Sequence, residues 1–173
     1  LAEIGVRYKG AYGTLKNCVD ESGNWLCSKI SMKFRFNKYN KEGRFHTMKR
    51  LNFHSMVWER SSLREKLAYG LFRAFGVKAP LSHWARIVVN GEDQGLFSMV
   101  EQIDGRFTDH NFENGGNGNL YKEVWPKYTS NGPYDITKKS GEDLDHSAII
   151  GFSKSLSEWN FPNFSERSPR WIN

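Results

Sequence analysis

The sequence lacks the features of a membrane-spanning or a disordered chain. No apolar run approaches the roughly 18 residues that a bilayer-spanning helix needs, so no transmembrane segment is predicted. Aromatic residues make up 14% of the 173 residues, and such a share argues against disorder. The chain begins with Leu1 in what reads as the inside of a strand. We therefore expect one domain over residues 1–173 that is a fragment of a longer protein.

Cysteine is scarce, with only Cys18 and Cys27 present. They flank a segment that contains the turn-forming residues Ser22, Gly23 and Asn24. If this segment is a hairpin loop, the two thiols meet as a disulfide across its base, and a reduced cytosolic pair is the open alternative. The spacing matches no standard zinc site.

Several chemical motifs are also absent. The chain has no Walker A loop, no G-x-G-x-x-G, no G-x-S-x-G elbow and no H-E-x-x-H pair. The five histidines show no ligand spacing, so we interpret them as surface or structural residues; they are His46, His54, His83, His110 and His146. No metal ligand and no catalytic residue is predicted within this chain.

The chain is basic, with a net charge of +6 and a pI near 9.3. Such a domain attracts nucleic acid, an anionic membrane or a phosphorylated ligand. The basic residues form no long block, so an ordinary solvated surface is the competing interpretation. Nucleic acid is the least favoured partner, because only charge and aromatic content point to it.

The hydrophobic pattern predicts an α+β fold. Strands are expected over 3–9, 29–36 and 48–54, and the second alternates apolar residues with a basic outer face. A helix over 62–75 is predicted from an S-x-x-E capping box of Ser62 and Glu65, with Gly76 ending it. Its apolar stripe is Leu63, Leu67, Leu71 and Phe75, with Ala68 and Phe72 beside it.

The second half of the pattern completes this prediction. The Asn90-Gly91 pair, followed by Gly95, indicates a β-hairpin. A short helical segment, a short strand over 119–124 and a last amphipathic helix over 142–158 follow. The order of elements does not alternate as in a doubly wound parallel sheet, so a mainly antiparallel sheet with packed helices is expected.

Charged residues at three places in the chain are candidates for binding a phosphorylated ligand. Arg7 and Lys9 end the first predicted strand at Gly10, where a turn presents N–H groups to a phosphate or simply reverses the chain. Lys29 opens the second predicted strand, as a kinase lysine follows its glycine turn. Glu65 is the helix acid that would hold such a lysine, although the capping box explains it. Glu101 and Asp104 lie where the hairpin ends, and a carboxylate there can hydrogen-bond a ligand or orient a lysine such as Lys29. For Asp104, capping a helix is an equal alternative.

Taken in order, the segments VRYKG, KISMKFRFNKY, MKRLNF, SLREKLAYGLFRAFGVKAP, ARIVVNGEDQGLFSMVEQID and GNLYK resemble the CotH kinase family. The resemblance covers roughly residues 5–123. It implies an atypical protein-kinase-like fold that transfers the γ-phosphoryl group of ATP to Ser or Thr of coat or surface proteins, with Mg²⁺. It also implies a spore-coat, cell-surface or secreted location.

By this resemblance, six residues lie near the nucleotide: Arg7, Lys9, Gly10, Lys29, Glu101 and Asp104. Arg64 and Lys66 match the helix motif of the family. The chain departs from the family in lacking its N-x-D…H-N-Y and W-D-x-D segments, and Asp143 and Asp145 do not replace them. Mg²⁺ needs such carboxylates. We therefore expect the N-terminal portion of a longer kinase, inactive alone, and a non-catalytic coat- or surface-binding domain is the alternative.

Overall fold

A computed structural model describes residues 3–10, 15–113, 115–122, 124–125, 127–141 and 144–157. The chain divides into two compact units, Leu1–Ile103 and Asp104–Asn173. No helix in the described ranges is long and apolar enough to cross a membrane.

The first unit is built on a five-stranded antiparallel sheet, and this confirms the predicted α+β class. Its strands have the spatial order β1-β2-β3-β5-β4, and helix α1 lies between β3 and β4 in the sequence. The elements are β1 (Gly5–Tyr8), β2 (Met32–Arg35), β3 (Arg50–His54), α1 (Arg64–Ala74), β4 (Ser82–Val89) and β5 (Glu92–Glu101).

The two faces of this sheet differ in character, because successive residues of a strand point to opposite sides. One face holds the apolar core, made of Met32, Leu51, Phe53, Ile87 and Phe97. The register pairs Lys33 with Asn52 and His54 with Ser98, so these four residues share the other face. Helix α1 contacts that polar face through Glu65, which bonds to His54. Just before the helix, the Ser62 carbonyl accepts a 2.8 Å hydrogen bond from the indole Nε1 of Trp84.

The start of α1 differs from the prediction. Leu63, not Ser62, is the N-cap, and no side chain caps the helix. Ser62 has a positive φ of 56°, and the Glu65 carboxylate bonds to His54 instead of its own helix end. The predicted capping box is therefore wrong, because a contact with the sheet replaces the local one.

The end of α1 is as predicted. Gly76 has a φ of +80°, and the N–H of Val77 donates to the Phe72 carbonyl at 2.8 Å. This is a Schellman ending with glycine in the left-handed position. The predicted apolar stripe is present, but no residue of α1 is buried, and Leu71 is 57% exposed.

The hairpin and the disulfide complete the first unit. Asn90 and Gly91 form a two-residue turn in which both φ angles are positive, at 52° and 87°, as a type I′ turn requires. Between Arg86 and Val88 the register shifts, so β5 carries one extra residue beside Gly95. Cys18 and Cys27 are joined as a disulfide, and this settles the alternative that the sequence left open.

The second unit contains α2 (Gly105–Asn111), β6 (Leu120–Tyr121), α3 (Gly132–Thr137), β7 (Lys138–Ser140) and α4 (Ser147–Ser157). Strands β6 and β7 pair as a two-stranded antiparallel sheet. The predicted short strand and last helix are present with shorter bounds. Positions 142, 143 and 158 of the predicted helix, and with them Asp143, lie outside the described residues.

Candidate functional site

The polar face of the first sheet carries a chain of three ionisable side chains. Lys9 Nζ lies 2.9 Å from His54 Nε2, and His54 Nδ1 lies 2.6 Å from Glu65 Oε1. Lys9 directly follows β1, His54 ends β3 and Glu65 is in the first turn of α1. Three separate elements thus bring one ammonium group, one imidazole and one carboxylate into line.

Two further groups surround the carboxylate end of this chain. Ser98 of β5 and Tyr69 of α1 lie close to the Glu65 carboxylate. Burial raises the pKa of Glu65, but the hydrogen bond from His54, together with smaller contributions that include the Lys9 charge, outweighs burial, so the net pKa lies below its usual value. Burial, and then the Glu65 charge, raise the pKa of Tyr69. Glu65 is therefore a charged carboxylate held in a partly desolvated place.

Lys29 lies elsewhere, and its predicted position at the opening of a strand is wrong. Strand β2 begins only at Met32. The Lys29 ammonium donates to the Leu96 carbonyl and lies 5.0 Å from the Phe97 ring centroid, on the core side of the sheet. Burial lowers its pKa. Phe97 and Ser98 point to opposite faces, so Lys29 and Glu65 are separated by the sheet.

The other predicted residues of the first unit differ in their surroundings. Arg7 is exposed on β1 and paired in register with Lys33. Gly10 has a φ of 154°, a conformation that favours glycine. Glu101 is buried, and its carboxylate accepts a hydrogen bond from the Leu81 N–H at 3.2 Å. By strand alternation, Arg7 and Lys9 lie on one face of the sheet. Glu101 lies on the other face, where its carboxylate binds the backbone of Leu81.

Asp104 belongs to the second unit. Its side chain accepts a 3.2 Å hydrogen bond from the Arg106 N–H, so it is the N-cap of α2. This is the structural role that the sequence leaves open beside ligand binding.

A basic cleft lies on the same polar face as the Lys9–His54–Glu65 chain. Its volume is about 410 Å³. Of the described residues that line it, none is acidic and five are cationic: Arg7, Lys33, Arg35, Lys38 and Arg50. Register explains this grouping, because Arg7 pairs with Lys33 and Arg35 pairs with Arg50 across neighbouring strands.

His54 is the residue that sequence reasoning missed. The sequence groups it with four other histidines as surface or structural, since it belongs to no ligand motif. One signal was available, because the alternation of β3 puts His54 on the polar side with Asn52. Its partner Glu65 lies 11 residues further along the chain, a spacing that no local rule connects.

A phosphate fits this donor set, and a metal ion does not. Arg7 and Lys9 are cationic donors of the kind that hold phosphate oxygens. Within the described ranges, no group of three or more His, Cys, Asp or Glu side chains is arranged to hold a metal ion. The chemistry that these described residues support is therefore the binding of an anion.

A protein-family model described as CotH kinase protein matches residues 6–168. The chain belongs to the CotH kinase family. The match extends past the motifs read in the sequence, which ended near residue 123, and takes in most of the second unit as well. Among curated proteins, no match to this CotH-family chain was found.

Proposed function

We propose that this CotH-family chain is the nucleotide-holding part of an ATP-dependent protein kinase. The complete enzyme would move the γ-phosphoryl group of ATP to a Ser or Thr hydroxyl of a coat or surface protein, with loss of the hydroxyl proton and release of ADP. Membership of the family supports this proposal. The observation that carries it is the Lys9–His54–Glu65 chain, since kinases also link a phosphate-binding lysine to a helix glutamate.

In this proposal the phosphates lie at the end of β1. Lys9 and Arg7 supply positive charge, and Gly10 lets the backbone turn close to the ligand. Lys29 and Glu101 lie on the opposite side of the sheet from Lys9. They and Asp104 are nucleotide candidates through the family resemblance alone and are not assigned to the phosphate site at Lys9. Glu101 and Asp104 also have structural roles, because Glu101 accepts a hydrogen bond from the Leu81 N–H and Asp104 accepts one from the Arg106 N–H.

Phosphoryl transfer in this family is proposed to use Mg²⁺, which offsets the charge of the phosphates when it is bound. The described residues offer no cluster to hold it. The sequence also lacks the N-x-D…H-N-Y and W-D-x-D segments of the family. On that ground we propose that this chain alone binds nucleotide without transferring phosphate, and that the carboxylates come from a further segment.

Calorimetric titration with ATP tests the nucleotide part of the proposal. Lys9→Met is expected to weaken ATP binding by about tenfold, as the loss of one charge-assisted hydrogen bond implies. Lys41→Met is the matched control, because Lys41 is an exposed lysine outside the site. If Lys9→Met binds ATP as tightly as Lys41→Met, the assignment of the phosphates to Lys9 is wrong.

Kinase activity needs a separate experiment. A protein that continues past Asn173 is expected to label serine-containing protein with the γ-phosphoryl group of ATP when Mg²⁺ is present. The 173-residue chain is the comparison, and Lys9→Met and Lys29→Ala in the longer protein separate the two lysines. Absence of transfer in every longer protein would overturn the kinase proposal.

A second candidate is a non-catalytic domain that binds an acidic coat or surface protein. The basic cleft favours it, because five cationic side chains converge there. Binding to such a surface weakens steeply with salt and ignores the nucleotide base. Titrations with ATP, GTP and triphosphate at about 50 and 500 mM salt distinguish it from a nucleotide site.

The disulfide bears on location. Disulfides persist in oxidising compartments and are rare in the cytosol. The Cys18–Cys27 bond therefore supports a cell-surface, coat or secreted protein, as proposed from the family.

A further inference from the structure

The protonation of His54 follows from its two neighbours. The Lys9 ammonium has only donors, so His54 Nε2 must be the acceptor in their 2.9 Å contact. The imidazole proton is then on Nδ1, from which it donates to Glu65 Oε1 at 2.6 Å. His54 is therefore a neutral imidazole in its Nδ1–H tautomer, fixed by a cation on one side and an anion on the other.

We propose that His54 is a positioning residue, which holds the Lys9 ammonium in place for a nucleotide phosphate by linking it to Glu65. This inference rests on the function proposed above and adds a residue to it. A protein kinase joins its lysine to its helix glutamate directly. Here the imidazole stands between them, at the end of β3.

An imidazole bridge has a chemical consequence. The Glu65 carboxylate polarises the imidazole through Nδ1–H and makes Nε2 a stronger acceptor, as carboxylates do for metal-bound histidines. Lys9 is thereby oriented by a neutral group, and its positive charge is offset less than in a direct ion pair. The ammonium has three N–H donors, and the contact with His54 uses one of them.

Packing keeps the bridge in place. The side chains of His54 and Glu65 are only 27% and 25% exposed. Ser98 of β5 and Tyr69 of α1 lie beside the Glu65 carboxylate. The Lys9 N–H donates to the Ser31 carbonyl at 2.8 Å, which fixes the backbone from which the lysine extends.

Nuclear magnetic resonance of the imidazole nitrogens in the ligand-free protein tests the bridge without any nucleotide. The Nδ1–H tautomer is expected for His54. In Lys9→Met, the signal of the unprotonated Nε2 should move toward that of a nitrogen without a hydrogen bond, while the exposed His83 stays unchanged. An Nε2–H tautomer in the native protein would overturn the inference, because Nε2 could not then accept a hydrogen bond from Lys9.

ATP titration of three variants tests the positioning role. His54→Gln keeps an amide oxygen and an amide N–H, so it should bind ATP within about threefold of the native protein. His54→Phe keeps the ring shape without either nitrogen and should weaken binding about tenfold or more. His83→Gln is the control and should bind as the native protein does, with folding checked by circular dichroism.

The outcomes separate the two proposals. Equal ATP affinities for His54→Phe and the native protein would show that His54 does not position Lys9. If no variant and no native protein binds ATP but the Nδ1–H tautomer is found, the bridge is supported and the nucleotide assignment is wrong. Weak binding by His54→Phe, with rescue in His54→Gln, supports both.

Discussion

Glu65 is bonded to His54 of the third strand at 2.6 Å and leaves the start of its own helix without a side-chain cap. The contact ties α1 to the polar face of the sheet, where Lys9 also lies. A helix with no buried residue thus has a fixed place beside the strands through hydrogen bonds, among them that of Trp84 to the Ser62 carbonyl.

The Glu65 contact predicts a pH-dependent loss of stability. Because the folded pKa of Glu65 is lowered, its stabilisation is present above the ordinary carboxyl value and is lost as pH falls through the folded pKa. Glu65→Gln should cost about 1 kcal/mol in unfolding free energy at pH 7. Urea unfolding from pH 7 to pH 3 should show this difference shrinking, and Glu42→Gln, on an exposed turn, is the control.

The second unit contains its own buried polar chain around His146. The imidazole bonds to Tyr121 through Nδ1 at 2.5 Å and to Asp135 through Nε2 at 2.7 Å, and its side chain is fully buried. His146→Phe leaves both partners without their bond and should destabilise this unit by about 2–4 kcal/mol. The loss of stability is measured by amide hydrogen exchange, which should become faster in β6 and α4.

The exposed His110 supplies the control for this experiment. It lies in the same unit on α2, and His110→Phe is expected to change the exchange rates little. Equal effects of the two substitutions would show that the His146 bonds add nothing to stability.

Local signals in the sequence predicted those parts of the fold that depend on neighbouring residues. The alternation from Ile30 to Phe36 identified the core side of β2, and Asn90-Gly91 identified the hairpin, because both depend on backbone geometry within a few residues. The Ser62–Glu65 capping box failed for the opposite reason. Its glutamate has a better partner across the sheet, and no short-range pattern reveals that partner.

The candidate site was predictable only in part. Arg7 and Lys9 were identified at the end of the first strand, and the polar face of the sheet holds both. His54 was missed, because a single histidine carries no spacing signal until β3 is paired with its neighbours. The alternation with Ile30 predicted Lys29 within a strand, but β2 begins only at Met32. The Lys29 side chain lies over the Phe97 ring.

The disulfide should stabilise the long connection between β1 and β2. Cys18 and Cys27 are nine residues apart, and closing a loop of this size restricts the unfolded chain by about 2–3 kcal/mol. The double variant Cys18→Ser, Cys27→Ser should lower the unfolding free energy by that amount in urea. Native protein with reductant should behave like the variant, and no difference between oxidised and reduced protein would contradict the expectation.

The apolar stripe of α1 leads to a contrast between two leucines. Leu71 lies on the stripe and is 57% exposed, whereas Leu51 of β3 is 2% exposed within the core. Leu51→Ala should cost about 2–5 kcal/mol because it leaves a cavity, and Leu71→Ala should change stability by less than about 0.5 kcal/mol. Urea unfolding of both variants in the same buffer provides the measurement. A loss at Leu71 comparable to that at Leu51 would show that the stripe is covered in solution, and sedimentation at two protein concentrations would then reveal whether a second copy covers it.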